Sequence, residues 1–189
     1  GKNQMNFTLG MKAPLGNANV KTPEGRSLPM YNQNGLGTFD FIAGLSWLNK
    51  DWMFAAGYQH AFGLSGNTFL WHDWAGHPDE DIAREYPQSN QLDRGNDIMF
   101  RVEKNFRFTN WNINTGLLPI YRLNNDVIQI PVSDDNGDVV AGQWQDKIME
   151  NSDGLALTFL LGGGYQFNVR SGIKIMNGVR LIQRDKNPD

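Results

Sequence analysis

An antiparallel up-and-down β-barrel of the membrane-spanning kind is the all-β fold that this 189-residue sequence predicts, and three observations predict it. Apolar and polar residues alternate with period two along about seven stretches, the pattern of strands with two unlike faces. Connections near residues 50, 110 and 170 are short, those over 13–35, 63–95 and 123–153 are long, and the two kinds alternate. Trp47, Trp52, Phe108, Trp111 and Phe167 gather beside the short turns, where a barrel carries an aromatic girdle at the membrane interface. A soluble sandwich has no reason to sort loop lengths in this way. The chain reads as one domain over 1–189, and as part of a larger barrel. About seven strands put its two ends on opposite sides, whereas closed barrels of this kind have an even number.

The stretch 38–62 shows the pattern most fully. Phe39, Phe41, Ala43, Leu45 and Trp47 share one face, with Thr38, Asp40, Gly44 and Ser46 on the other. Asn49, Lys50 and Asp51 reverse the chain, and Trp52, Phe54, Ala56, Tyr58 and Phe62 continue the apolar face. Alternation on both sides of a tight turn predicts a β-hairpin. Ahead of it, 3–12 alternates Met5, Phe7, Leu9 and Met11 against Asn6, Thr8 and Lys12. The next strand, 97–108, sets Ile98, Phe100, Val102, Phe106 and Phe108 against Arg101, Glu103 and Arg107. Its return, 111–122, carries Pro119, which cannot donate to a ladder and so belongs near the outer end, at a bulge or an edge. Strands over 155–167 and 171–181 complete the set, before a polar tail. Lys104 falls on the apolar parity between Val102 and Phe106. In a bilayer it has to lie toward the turn end and snorkel, unless a bulge shifts the register.

The connections 13–35, 63–95 and 123–153 read as long external loops without regular structure. Composition excludes several classes. A formal net charge of −3, without a basic run, gives no footprint for nucleic acid. The absence of cysteine removes disulfide frameworks and thiolate metal sites. No apolar run reaches the roughly 18 residues of a transmembrane helix. A mean hydropathy of −0.50 does not oppose a barrel, whose alternation hides from averages. Starting at Gly1 without a leader, the sequence reads as a processed protein or a piece of a longer one.

Candidate functional residues follow from parity. Lys12, Asp40, Arg101, Glu103, Arg107, Lys174 and Arg180 fall on the polar face and would line the lumen. They form either a mixed-charge constriction that selects solutes or a set that pairs off across a plugged interior, and strand number decides between the two. The run 72–81 holds His72, His77 and Asp79 among further carboxylates, a weak candidate for a divalent metal or a water-activating pair. Its spacing matches no defined motif, and a solvated external loop explains it better. The run 133–138 lacks the glutamate of a calcium loop and reads as a turn on Asn136–Gly137. Phe69, Trp71 and Trp74 either gate the mouth or contact a partner, or form a small core under their own loop.

Leu9, Gly10, Lys12, Pro14 and Gly16, followed by Gly35, Gly37, Asp40 and Phe41, form a pattern that resembles the outer-membrane transporter proteins of the phenol meta-pathway type. Thr38 and Phe39 depart from that pattern, and the match covers about a quarter of the chain. The resemblance implies an outer-membrane β-barrel that passes small solutes, hydrophobic or aromatic ones included, and it carries no catalytic residues.

The expectation is therefore a non-enzymatic channel or transporter in the outer membrane of a Gram-negative bacterium, with membrane lipid and a small solute as partners and no cofactor. Selectivity would come from the inward charges and gating from 63–95. A barrel-scaffolded enzyme with its chemistry at 72–81, and an adhesive or structural barrel acting through its loops, are the alternatives.

Overall fold

The computed structural model describes residues 3–134 and 139–184. In chain order the strands are β1 (Gln4–Lys12), β2 (Phe39–Asn49), β3 (Trp52–Phe62), β4 (Ser65–Phe69), β5 (Ser89–Asp93), β6 (Asp97–Arg107), β7 (Trp111–Arg122), β8 (Asp126–Ser133), β9 (Val139–Met149), β10 (Gly154–Asn168) and β11 (Ser171–Ile182), with a short helix α1 (Glu80–Arg84) between β4 and β5. They build two antiparallel sheets. One has seven strands in the order β1-β2-β3-β6-β7-β10-β11, and the other has four in the order β4-β5-β8-β9. The larger sheet does not close: among the described residues β1 pairs with β2 alone and β11 with β10 alone.

Register follows the alternation. Asn49 faces Trp52 across the two-residue turn Lys50–Asp51, where Lys50 takes a left-handed φ of 52°. From there Trp47 pairs with Phe54, Leu45 with Ala56 and Ala43 with Tyr58, so one face of the sheet is apolar throughout. The same face continues through Phe54–Val102, Val102–Leu117 and Leu117–Phe159. A one-residue slip in any pair would mix the faces.

Burial in this sheet is inverted. Phe7, Leu45, Phe100, Leu161 and Ile175 on the apolar face are each about half exposed or more. Asp40, Asp97, Glu103, Asn114 and Arg122 on the polar face are buried. The polar face is also concave. Arg101 Nη2 on β6 lies 3.9 Å from Met176 Sδ on β11, although β7 and β10 stand between them. Three strand spacings on a flat sheet would separate those chains by about 14 Å. Curvature brings their side chains together.

The smaller sheet corrects the expectation of irregular loops over 63–95 and 123–153. Each segment forms a hairpin, β4-β5 and β8-β9, and the two join through Leu92–Ile128 and Asp93–Val127. Ile128 and Ile130 on alternate positions were the strand signal, masked by the surrounding Asp and Asn. Unlike the large sheet, this one has an ordinary apolar core. Phe69, Trp74 and Ala83 pack with Leu28, Trp71 and Tyr86. Leu92, Ile128 and Met149 pack with Met30, Leu36 and Ile130. Leu28, Met30 and Leu36 come from the connection 13–35, so all three long connections meet in one outer body. Phe69 and Trp74 are core residues of that body. The turn expected on Asn136–Gly137 lies outside the described residues, as does 185–189 of the polar tail.

Pro119 sits inside the sheet, at neither an edge nor a bulge. It pairs with Leu157 of β10, while toward β6 the ladder skips Pro119 and Leu118 and resumes in the same register. A residue without an N–H interrupts the ladder on one side and leaves the strand's path intact.

Gly95, between β5 and β6, is required by close packing. A Cβ there would stand 2.0 Å from the Asn124 carbonyl oxygen and 3.0 Å from Arg122 Cδ. Gly95→Ala is expected to destabilise the protein by about 1–3 kcal/mol, the usual cost of overpacking, because a backbone atom has to yield. The midpoint of urea unfolding measures it, and an unchanged midpoint would disprove the packing argument.

Candidate functional site

The polar face holds a belt of charges at the end of the strands that leads into the long connections. Lys12 Nζ, at the end of β1, donates to Asp40 Oδ2 at 2.7 Å. Asp40 is fully buried and also accepts from Thr38 Oγ1 at 2.9 Å and Gln59 Nε2 at 2.6 Å. Arg94 continues the belt, 4.0 Å from Asp40 and 3.0 Å from Asp97 Oδ2. Asp97, 3 % exposed, accepts from Arg122 Nε at 3.0 Å and Nη2 at 3.3 Å, a forked pairing. Arg184, just past β11, donates to the same carboxylate at 3.1 Å. Arg122 Nη1 reaches Asp126 Oδ2 at 2.7 Å, and Asp126 Oδ1 accepts the Gly95 N–H at 2.8 Å. Burial makes the pairings of Asp40, Asp97 and Arg122 obligatory, since an unpaired charge there would be left without water.

Two further tiers lie below. Midway along β6, Arg101 donates to Glu103 two residues on, with both side chains on the polar face. Gly116 faces Glu103 across the strand pair and makes room for it: a Cβ at 116 would stand 2.6 Å from Glu103 Cγ. Near the short turn, Arg107 Nη2 donates to the Lys50 carbonyl at 3.2 Å, and its Nε lies 3.6 Å from Asp51.

The residues singled out by parity therefore fall into separate groups. Lys12 with Asp40 and Arg101 with Glu103 are brought together, and Arg107 stands apart at the turn. Lys174 and Arg180 lie on the same face by register, opposite Gly164 and Thr158, exposed on the edge strand β11. Arg180 donates to Gln183 Oε1 at 2.9 Å. Alternation put Asp97 and Arg122 on the polar side but did not single them out, because a strand end carries little pattern. Arg94 and Arg184 come from connections, where parity has no meaning, and Asp126 opens β8, within a stretch that reads as loop.

On the apolar face the aromatics form contacts near the short turns. Trp47 and Trp52 stack on Phe54 at 5.6 and 5.9 Å between ring centroids. Trp111 meets Tyr165 at 4.6 Å, and Tyr165 meets Phe167 at 5.0 Å. Phe108 is exposed beside them at the turn. Lys104 is level with Trp52, the first residue of β3, with Nζ 4.9 Å above that ring and 3.9 Å from Asp51. Its register is unshifted, and its ammonium leans toward the turn and its carboxylate.

The weak metal candidates are dispersed. His72 Nε2 lies 3.1 Å from Asp73, whereas His77 packs edge-on against Trp74 at 5.3 Å and accepts the Asp79 N–H at Nδ1. Among the described residues no three His, Asp or Glu side chains are grouped to hold a metal ion. His60 is bonded to Asn96 and sits edge-on to Phe62.

The two glycine-containing segments 9–16 and 35–41 meet in space. Lys12 pairs with Asp40 in register, and the chains cross at Gly16 and Gly35, where a Cβ on Gly16 would stand 2.8 Å from the Asn34 carbonyl oxygen. Gly37, at φ +68°, turns the chain into β2. Compared with models of known families and with curated proteins, the sequence gives no match. The class defined by geometry is an antiparallel β-sheet protein with a bare apolar face and a concave, charge-paired polar face.

Proposed function

We propose that this chain forms the wall of an outer-membrane β-barrel of a Gram-negative bacterium, one that conducts small solutes, hydrophobic or aromatic ones among them, along its concave polar face. The inversion of the large sheet carries this reading. A sheet that exposes Phe, Leu and Ile while burying Asp, Glu and Arg matches hydrocarbon outside and a polar interior. The outer body, which buries its apolar residues normally, fits water on the long-connection side. The aromatics at the short turns fit the opposite interface. In hydrocarbon each unpaired backbone N–H or C=O costs several kcal/mol, so β1 and β11 need partners, and we read the complete barrel as having further strands. Conduction requires more than the roughly eight strands at which side chains fill the interior.

The test is single-channel recording on the complete protein refolded into a planar bilayer. Discrete openings are expected, with ion preference moving toward cations in Arg101→Gln and toward anions in Glu103→Gln. A silent bilayer from a folded, heat-modifiable barrel would overturn conduction and turn attention to the outer body.

A further inference from the structure

We infer that the cavity between the outer body and the charge belt is a binding site for a small amphipathic anion, a monocarboxylate with an apolar body. The cavity has a volume of about 300 Å³. That is the lower end of small-molecule sites, and at about 30 Å³ per water it holds a ligand of roughly ten non-hydrogen atoms. Leu92, Ile128, Met149 and Met30 supply an apolar wall from three different connections.

One buried polar group of the lining is unsatisfied. Ser89 lines this cavity and is 2 % exposed, yet its hydroxyl has no hydrogen-bond partner among the described residues. Native structures rarely leave such a group unmet. Two other polar residues of the lining, Ser152 and Asp126, are committed. Ser152 Oγ donates to the Met149 carbonyl and accepts the Asp126 N–H. Asp126 holds Arg122 and the Gly95 N–H. Ser89 is therefore a hydroxyl left for a ligand.

The sign of the ligand follows from the belt beside it. Arg94, Arg122 and Arg184 share the single carboxylate of Asp97. Across the belt, Lys12 and these three arginines stand against Asp40, Asp97 and Asp126, an excess of one positive charge. Arg122 and Arg184 both line the cavity, and Arg184 spends one N–H on Asp97. A carboxylate balances that excess, accepts from a guanidinium and takes the Ser89 hydroxyl proton in a hydrogen bond. A divalent cation or an ammonium would meet the wrong charge.

For its role, capture of a solute at the mouth, the inference rests on the proposed function, but binding is measured separately from conduction. Hexanoate and its uncharged counterpart hexanamide are titrated calorimetrically into the complete protein in lipid nanodiscs at neutral pH, with empty nanodiscs as the blank. Hexanoate is expected to bind, and hexanamide to bind about tenfold more weakly or not at all, since a charged hydrogen bond is roughly twice as strong as a neutral one. Ser89→Ala and Arg184→Gln are each expected to weaken hexanoate about tenfold, while gel heat-modifiability confirms that the variants remain folded. Absence of hexanoate binding, equal binding of the amide, or unchanged affinity in both variants would each overturn the site. A silent bilayer with hexanoate bound would defeat conduction and leave the site standing, and a conducting protein that ignores hexanoate would do the reverse.

Discussion

Asp97→Ala is expected to cost the folded protein about 3–5 kcal/mol, the usual penalty when one partner of a buried ion pair is removed. The substitution leaves Arg122, whose side chain is 9 % exposed, with its forked acceptor gone. It also takes from Arg94 and Arg184 the carboxylate they share with it. Because the loss lies in uncompensated charge, adding Arg122→Met to Asp97→Ala is expected to recover part of it. Urea unfolding in lipid vesicles, followed by tryptophan fluorescence, measures both variants. An Asp97→Ala midpoint equal to that of the parent would mean that the belt is solvated and that its pairings contribute little. The exposed pair Arg84–Glu80 on α1 serves as the contrast, since breaking it is expected to leave the midpoint nearly unchanged.

Leu45→Lys is expected to lower stability in a bilayer by about 2–4 kcal/mol, as a lysine does at the midplane of a barrel's outer face. Leu45 stands halfway along β2 on the apolar face, between Ala43 and Trp47, and is 48 % exposed. In water such a half-exposed leucine would tolerate the exchange easily. The comparison is Lys104→Leu, at the turn end of the same face, where the change is expected to be about 0–1 kcal/mol. A Leu45→Lys protein as stable as its parent in vesicles would show that this face does not meet hydrocarbon, and the membrane reading would fall with it.

Parity along a strand is local, and it was legible. Which side Phe7, Leu45, Phe100 or Ile175 takes depends on position within its own strand, because side chains alternate. The short turns at 50, 110 and 170 and the grouping of Trp47, Trp52 and Trp111 beside them were readable for the same reason. So was the place of Lys104 on the apolar face, where its ammonium lies over Trp52 beside the turn. Gly16 and Gly35 could be seen in the sequence, but the close approach of their backbones that requires them could not.

What the sequence determined by itself was the two-faced strand pattern, and with it the seven strands of the large sheet and the residues on each side. The tertiary structure alone decided which charges meet. Arg184 reaches Asp97 from beyond β11, three strands along from β6, Arg94 enters from a connection and Asp126 from the start of β8. It also decided that two segments read as loops would pair through Leu92 and Ile128 into a second sheet with its own core. The physical reason is distance along the chain. Alternation is set by each residue's own backbone, whereas a salt bridge or a sheet edge depends on curvature and register summed over several strands.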